Sequence, residues 1–193
     1  MKKLWVIFLG MVAAVLSGCS SPEMQPSRAV EVEGHFCLDL PANMQPSAGL
    51  HEFAPLQYAD KEGDFYWMGI TEPKSKIDSL DLRYSLGDYA YFVESTLAAG
   101  YDTAYVSNRD TLEVNGLPCQ TAELYAMQMR DGDSVQVYYH LAVYEGTDHF
   151  YQLIGWTHRE RQPLLSAIAP SVDRSFQEFP GGSKEGQTAV RKP

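Results

Sequence analysis

Cysteine, positive charge and catalytic signatures are all scarce in this chain. Three cysteines in 193 residues are too few for a disulfide-dense scaffold. Lys and Arg number 15 against 25 Asp and Glu, for a formal net charge of −10, and the balance is more negative still without Lys2 and Lys3. An acidic surface repels polyanions, which argues against nucleic acid or anionic lipid as partners and leaves solubility as the role of the charge. No H-E-x-x-H, C-x-x-C, G-x-S-x-G, P-loop or EF-hand pattern occurs, and Asp131-Gly132-Asp133 is too short for a calcium loop. The longest apolar run, residues 4–16, is about 13 residues, well short of the ~20 that a membrane-spanning helix needs.

That short run is informative for what surrounds it. Lys2 and Lys3 make a positive n-region before it, and Leu16-Ser17-Gly18-Cys19 follows at once. The order of charge, apolar core and small residues is that of a secretory signal. Its end resembles the lipobox of bacterial lipoproteins. The resemblance implies cleavage between Gly18 and Cys19, a diacylglyceryl group on the Cys19 thiol and an acyl group on the new amine. Two or more chains give stable anchoring, since each buried CH₂ contributes about 0.8 kcal/mol. Residues 1–18 are therefore expected as signal peptide, and 19–33 as the lipidated cysteine and a flexible tether. With prolines at 22 and 26, about 14 tether residues span at most ~45 Å. Ser20 stands where enterobacterial lipoproteins retained in the inner membrane carry aspartate. By that analogy the outer membrane is favoured, facing the periplasm or the cell surface.

The body, 34–179, is long enough for a core without metal or disulfide. Residues 134–179 organise it: Val135, Val137, Tyr139, Leu141 and Val143 alternate as in a strand, 145–148 turn the chain, and 150–157 run back. Leu164, Leu165, Ile168, Val172 and Phe176 then recur at helical spacing. That helix starts near Gln162, with Pro163 at its first position; Thr157 and Glu160 offer a competing cap, and Pro170 is expected to bend or shorten it. Upstream, 35–40 read as a first strand and 53–59 with 65–71 as a hairpin. Residues 73–83 look polar and mobile. A helix over 86–99 has a capping box of Ser85 and Asp88 and a buried stripe of Tyr89, Phe92, Val93, Thr96 and Leu97. Asn115-Gly116 predicts a type I′ hairpin between 106–114 and 117–129. After Pro180, residues 180–193 lack periodicity and read as a disordered tail. The class is α+β, an antiparallel sheet of about six strands flanked by helices.

Candidate sites are sparse. If Tyr144 faced His149 across the last hairpin, His140 would face Leu153, too far along the ladder for a two-histidine metal site. Glu145, Asp148 and His149 could meet at the turn, although turn chemistry explains them as well. Cys37 and Cys119 are compatible with a disulfide in an oxidising compartment, or with two buried free thiols. Should the helices leave part of the sheet uncovered, Tyr66, Trp67, Tyr138 and Tyr144 are the candidate binding surface; otherwise they are core. No catalytic residue, metal or cofactor is expected.

The element order, with Phe36-Cys37-Leu38-Asp39-Leu40-Pro41 on the opening strand, Val114-Asn115-Gly116-Leu117 in the meander and Asp173-Arg174-Ser175-Phe176 closing the last helix, resembles the PsbP-like (DcrB-like) α/β/α sandwich. The resemblance implies a sheet with helices on both sides and function through protein contacts, since members support photosystem assembly, bind the Ran GTPase or chaperone secreted effectors. It implies no shared catalytic residues. The expectation is a non-enzymatic, membrane-anchored interaction, assembly or chaperone module of the cell envelope, with an envelope protein as partner. The alternative is a carrier of an apolar or aromatic ligand between sheet and helix.

Overall fold

A computed structural model describes residues 27–130 and 132–179. The signal peptide, Cys19 and the tail 180–193 lie outside the described residues. The elements run β1 (Ser27–Val32), β2 (Phe36–Pro41), β3 (Gln45–Pro46), β4 (Leu56–Asp60), β5 (Phe65–Pro73), α1 (Lys74–Asp78), α2 (Leu86–Ala98), β6 (Thr103–Val114), β7 (Leu117–Arg130), β8 (Asp133–Glu145), β9 (His149–His158), α3 (Gln162–Ser175) and β10 (Gln177–Glu178). The main sheet has seven strands rather than six, in the order β3-β4-β5-β9-β8-β7-β6, and a second sheet pairs β1-β2-β10. All pairings are antiparallel.

Alternation along β8 sets up two buried faces, because a strand covered on both sides must be apolar on both. Tyr138, Ala142 and Tyr144 face a layer made of α3 and the small sheet, where Leu165, Ala169, Val172 and Phe176 meet Phe36, Leu38 and Leu40. Tyr139, Leu141 and Val143 face α2, whose Tyr89, Ala90 and Val93 pack there with Ala122, Leu124, Phe150 and Ile154. The result is three layers with the sheet between. The Asn115-Gly116 turn takes φ of +50° and +84°, the left-handed pair that a type I′ turn demands.

Several sequence expectations need correction. Residues 27–32, assigned to the tether, form β1 and pair in register with β2 from Ser27 opposite Pro41 to Val32 opposite Phe36, so the domain begins before residue 34. Within the polar stretch 73–83, Lys74–Asp78 is a short helix that buries Ile77. The last hairpin pairs Tyr144 with Tyr151 and His140 with Gly155, two residues from the register considered above, because the ladder closes at Glu145 and Phe150. Thr157 belongs to β9 and does not cap α3; Pro163 occupies the first turn, and the helix continues past Pro170 to Ser175. On α2 the capping box of Ser85 and Asp88 is present, but the buried residues are Tyr89, Ala90, Val93 and Glu94, and Phe92 is 47% exposed.

One close approach fixes how β5 and β9 meet. A Cβ on Gly155 would lie 2.9 Å from three atoms of the Trp67 indole, which is itself fully buried. Gly155→Ala is expected to cost about 1–3 kcal/mol through overpacking, seen as a lower urea midpoint with an unchanged m-value. At the end of the same sheet His35 and His149 meet edge to face at 5.4 Å, and burial, then the neighbouring His149, holds the His35 imidazole below its ordinary pKa. The unfolded chain therefore takes up a proton at a pH where the folded one does not. Stability should fall as pH drops from ~6.5 towards the folded value and then level off. His35→Gln should flatten that part of a stability-versus-pH curve.

Candidate functional site

The four rings proposed as a surface are not one. Trp67, Tyr138 and Tyr144 are core, and Tyr66, half-buried, stacks on Trp156 at 5.3 Å. The layer of α3 and the small sheet covers Trp67, Tyr138 and Tyr144, so the aromatic content there is packing. Cys37 on β2 and Cys119 on β7 are free thiols on different sheets. The turn residues are dispersed: Glu145 bonds Lys74 Nζ at 2.9 Å, the Asp148 carbonyl accepts the Lys74 N–H, and His149 packs on His35. Among the described residues no three His, Cys, Asp or Glu side chains come together as a metal site.

Beneath α3 lies a polar cluster that the sequence does not reveal. His140 Nε2 and Asp173 Oδ2 are 2.8 Å apart, and the Tyr144 hydroxyl donates to the Asp173 carbonyl at 3.2 Å. Burial, and then the Asp173 carboxylate, pushes the Cys119 thiol up, and the same two causes raise the Tyr144 hydroxyl. A thiol held in this way stays protonated and is a poor nucleophile. His140 and Asp173 are 8% and 4% exposed, beyond a substrate's reach. The cluster fastens α3 to the sheet.

An accessible, largely apolar concavity lies on the opposite face, along α2. Its floor is Met68 and Ile70 of β5 with Ile154 of β9, its wall is Phe92, Val93, Thr96 and Leu97, and its lip is His51 and Phe53 from the β3–β4 loop. The groove encloses about 820 Å³, within the roughly 300–1,000 Å³ usual for ligand sites. The polar lining is mostly uncharged: Thr71, Thr96, Tyr101, Gln128 and Gln152. Gln152 Nε2 lies 2.6 Å from the Tyr89 hydroxyl, which burial pushes up to about 12 despite that hydrogen bond. The charged residues of the lining, Glu72 and Lys76, pair with each other at 2.8 Å. Such a site takes the apolar part of a molecule or partner.

The rotation of α2 creates this groove. Glu94, 4% exposed in its side chain, is gripped by Arg109 through bonds of 2.7, 3.0 and 3.2 Å. Arg109 sits in an irregularity of β6 between Ser107 and Asp110, where Asn108 has φ +49°. Turning Glu94 inward turns Phe92, nearly opposite it on the helix, outward to 47% exposure. A helical wheel that expects acidic residues outside puts Phe92 in the core, which is why the sequence reading missed the groove; a carboxylate three positions before Leu97 and an arginine after a β-strand Asn were the signals available. Arg109→Ala should strand the Glu94 carboxylate and cost about 2–4 kcal/mol. Much of that loss should return in the Arg109→Ala/Glu94→Leu double variant, measured by urea denaturation.

No family model and no curated protein sequence matches the chain. Solved structures do. Cyanobacterial PsbP (CyanoP) from Synechocystis sp. PCC 6803 superposes with a TM-score of 0.58 at 15% identity, covering 85% of this chain and 99% of its own. The Ran-binding protein Mog1p of Saccharomyces cerevisiae gives 0.54 at 13%, with 79% and 95% covered. LpqN, involved in cell envelope biogenesis of Mycobacterium tuberculosis, gives 0.50 at 13%, with 80% and 91% covered. No helix among the described residues is long and apolar enough to cross a membrane. With the three-layer arrangement, the seven-stranded antiparallel sheet and these superpositions together, the described residues form a domain of the PsbP-like α+β fold.

Proposed function

We propose that this protein is a lipid-anchored, non-enzymatic interaction module of a bacterial cell envelope, held by acyl chains on Cys19 and recognising an envelope protein through the α2 face. The observation that carries the reading is the open apolar groove flanked by Phe53 and Phe92, which are 70% and 47% exposed. Exposed apolar surface of this kind, rimmed by polar residues, marks contact sites. Support for an interaction role comes from Mog1p, described as Ran-binding, and support for the envelope from LpqN. Fold alone transfers neither role. The buried, protonated Cys119 and the inaccessible His140–Asp173 pair fit an inert body. Placement in the outer membrane, facing the periplasm or the cell surface, follows from Ser20 after the lipobox cysteine. An acidic surface fits a protein partner rather than nucleic acid.

A second reading keeps the groove but fills it with a small apolar or aromatic ligand that the protein carries; the volume of about 820 Å³ favours it. Three measurements test the anchor and separate the two readings. Labelled palmitate should enter the wild-type chain and not Cys19→Ser. A photocrosslinker in place of Phe53, at the lip of the groove, should capture one specific envelope protein in intact cells, with yield falling at least fivefold in Phe92→Lys. Native mass spectrometry showing a co-purifying small molecule, with no protein captured, would transfer the conclusion to the carrier reading.

A further inference from the structure

The groove leaves Met68, Ile70, Leu97 and Ile154 facing a solvent-filled cleft, and a lipidated chain carries the complementary problem of alkyl groups in water. The path of the chain brings the two within reach. Ser27 pairs with Pro41, and the Arg28 guanidinium donates to the Met44 carbonyl at 2.7 Å and lies 5.3 Å over the Tyr58 ring. The tether therefore meets the domain beside β3 and β4, at one edge of the main sheet. From that same edge the β3–β4 loop carries His51 and Phe53 across to the lip of the groove. The loop is pinned there, because Gln57 Oε1 accepts the N–H groups of Leu50 and His51 at 2.8 and 3.1 Å.

The distances suffice. Eight residue steps from Cys19 to Ser27 extend to about 26 Å. From β4 to β9 is two strand spacings, about 10 Å, and passing around the sheet edge adds about 10 Å more. The chemistry of the lining selects for an alkyl chain whose head is neutral. Lys76 is already paired with Glu72, and His51 Nδ1 is occupied as acceptor of the Phe53 N–H at 3.2 Å. A free fatty acid would bring a carboxylate with no unpaired cation in the lining to receive it, whereas an ester- or amide-linked acyl chain brings none. We infer that the groove between α2 and β5 shelters one acyl chain of the lipid on Cys19 of the same polypeptide while the protein is away from a membrane, and that the groove empties when this chain enters a bilayer. The inference rests on the lipidation of Cys19 proposed above.

Cells fed palmitate carrying a terminal diazirine supply the test. The mature protein is purified in detergent, exchanged either into detergent-free buffer or into phosphatidylethanolamine vesicles, and irradiated. Intact mass reports the lipid on Cys19 independently of where it crosslinks. In buffer the label is expected on peptides spanning Phe65–Pro73 and Leu86–Ala98, and at least fivefold less in vesicles or in Phe92→Lys. Mixing ¹⁵N-labelled and unlabelled chains shows whether each chain fills its own groove. Lipid present on Cys19 but crosslinked elsewhere, crosslinked only between copies, or unaffected by Phe92→Lys overturns this inference and leaves the anchor intact. A mass without lipid overturns the anchor itself.

Discussion

The fold depends on a knot of four rings. Phe176, the residue that ends α3, stacks on Tyr144 at 4.0 Å and 9°, and lies 5.1 Å from Phe36 and 5.4 Å from Tyr151. Tyr144 and Tyr151 are opposite each other on β8 and β9, and Phe36 begins β2. One side chain therefore joins the last helix, the small sheet and the centre of the large sheet. Aromatic pairs of this geometry contribute about 0.5–1.5 kcal/mol beyond their area, and here several share a single residue. The His140–Asp173 pair one helical turn earlier lies on the same line of contact. Backbone polarity is handled at the same point, since Asn115 Nδ2 donates to the Phe176 carbonyl at 2.7 Å.

The two faces of the sheet are covered unequally, and the groove follows from that inequality. Seven strands at about 4.8 Å spacing are roughly 29 Å wide. One face receives both α3 and a three-stranded sheet. The other receives α1, five residues long, and α2, 13 residues long, a cylinder about 10–12 Å across and ~20 Å long. A helix of that size cannot close the face, and the strip over β5 and β9 stays open as the groove. Glu94 and Arg109 then decide which side of α2 looks into it. A polar contact at the edge of the sheet thus sets the character of an apolar surface near its middle.

Much of the architecture was legible because local signals agreed with tertiary need. The alternation of β8, the Asn115-Gly116 turn, the Ser85–Asp88 box and Pro163 at the start of α3 each have a strong local cause, and each appears where expected. The PsbP-like resemblance, carried by short stretches such as residues 173–176, agrees with the superpositions. What was not legible has non-local causes. β1 alternates only over Val30-Glu31-Val32, too short a signal to stand apart from the polar stretch before it, and it is held as a strand by pairing with β2. Tyr138 and Tyr144 look like surface residues by chemistry, yet α3 and Phe176 bury them. Glu94 belongs on the outside of α2 by charge, and only the arginine from a bulge fifteen residues later brings it in. Element identity is a local property here, whereas the site depends on contacts far apart in sequence.

The irregularity in β6 has a bearing on crowding. β6 is the last strand of the large sheet, 12 residues long, with one side unpaired among the described residues. A straight edge of that length invites the same edge of a neighbouring molecule to add on, and confinement to a surface would raise the encounter rate. The break at 107–110 interrupts the run of aligned amides and twists the strand. Two molecules brought edge to edge therefore meet no continuous run of aligned amides along β6.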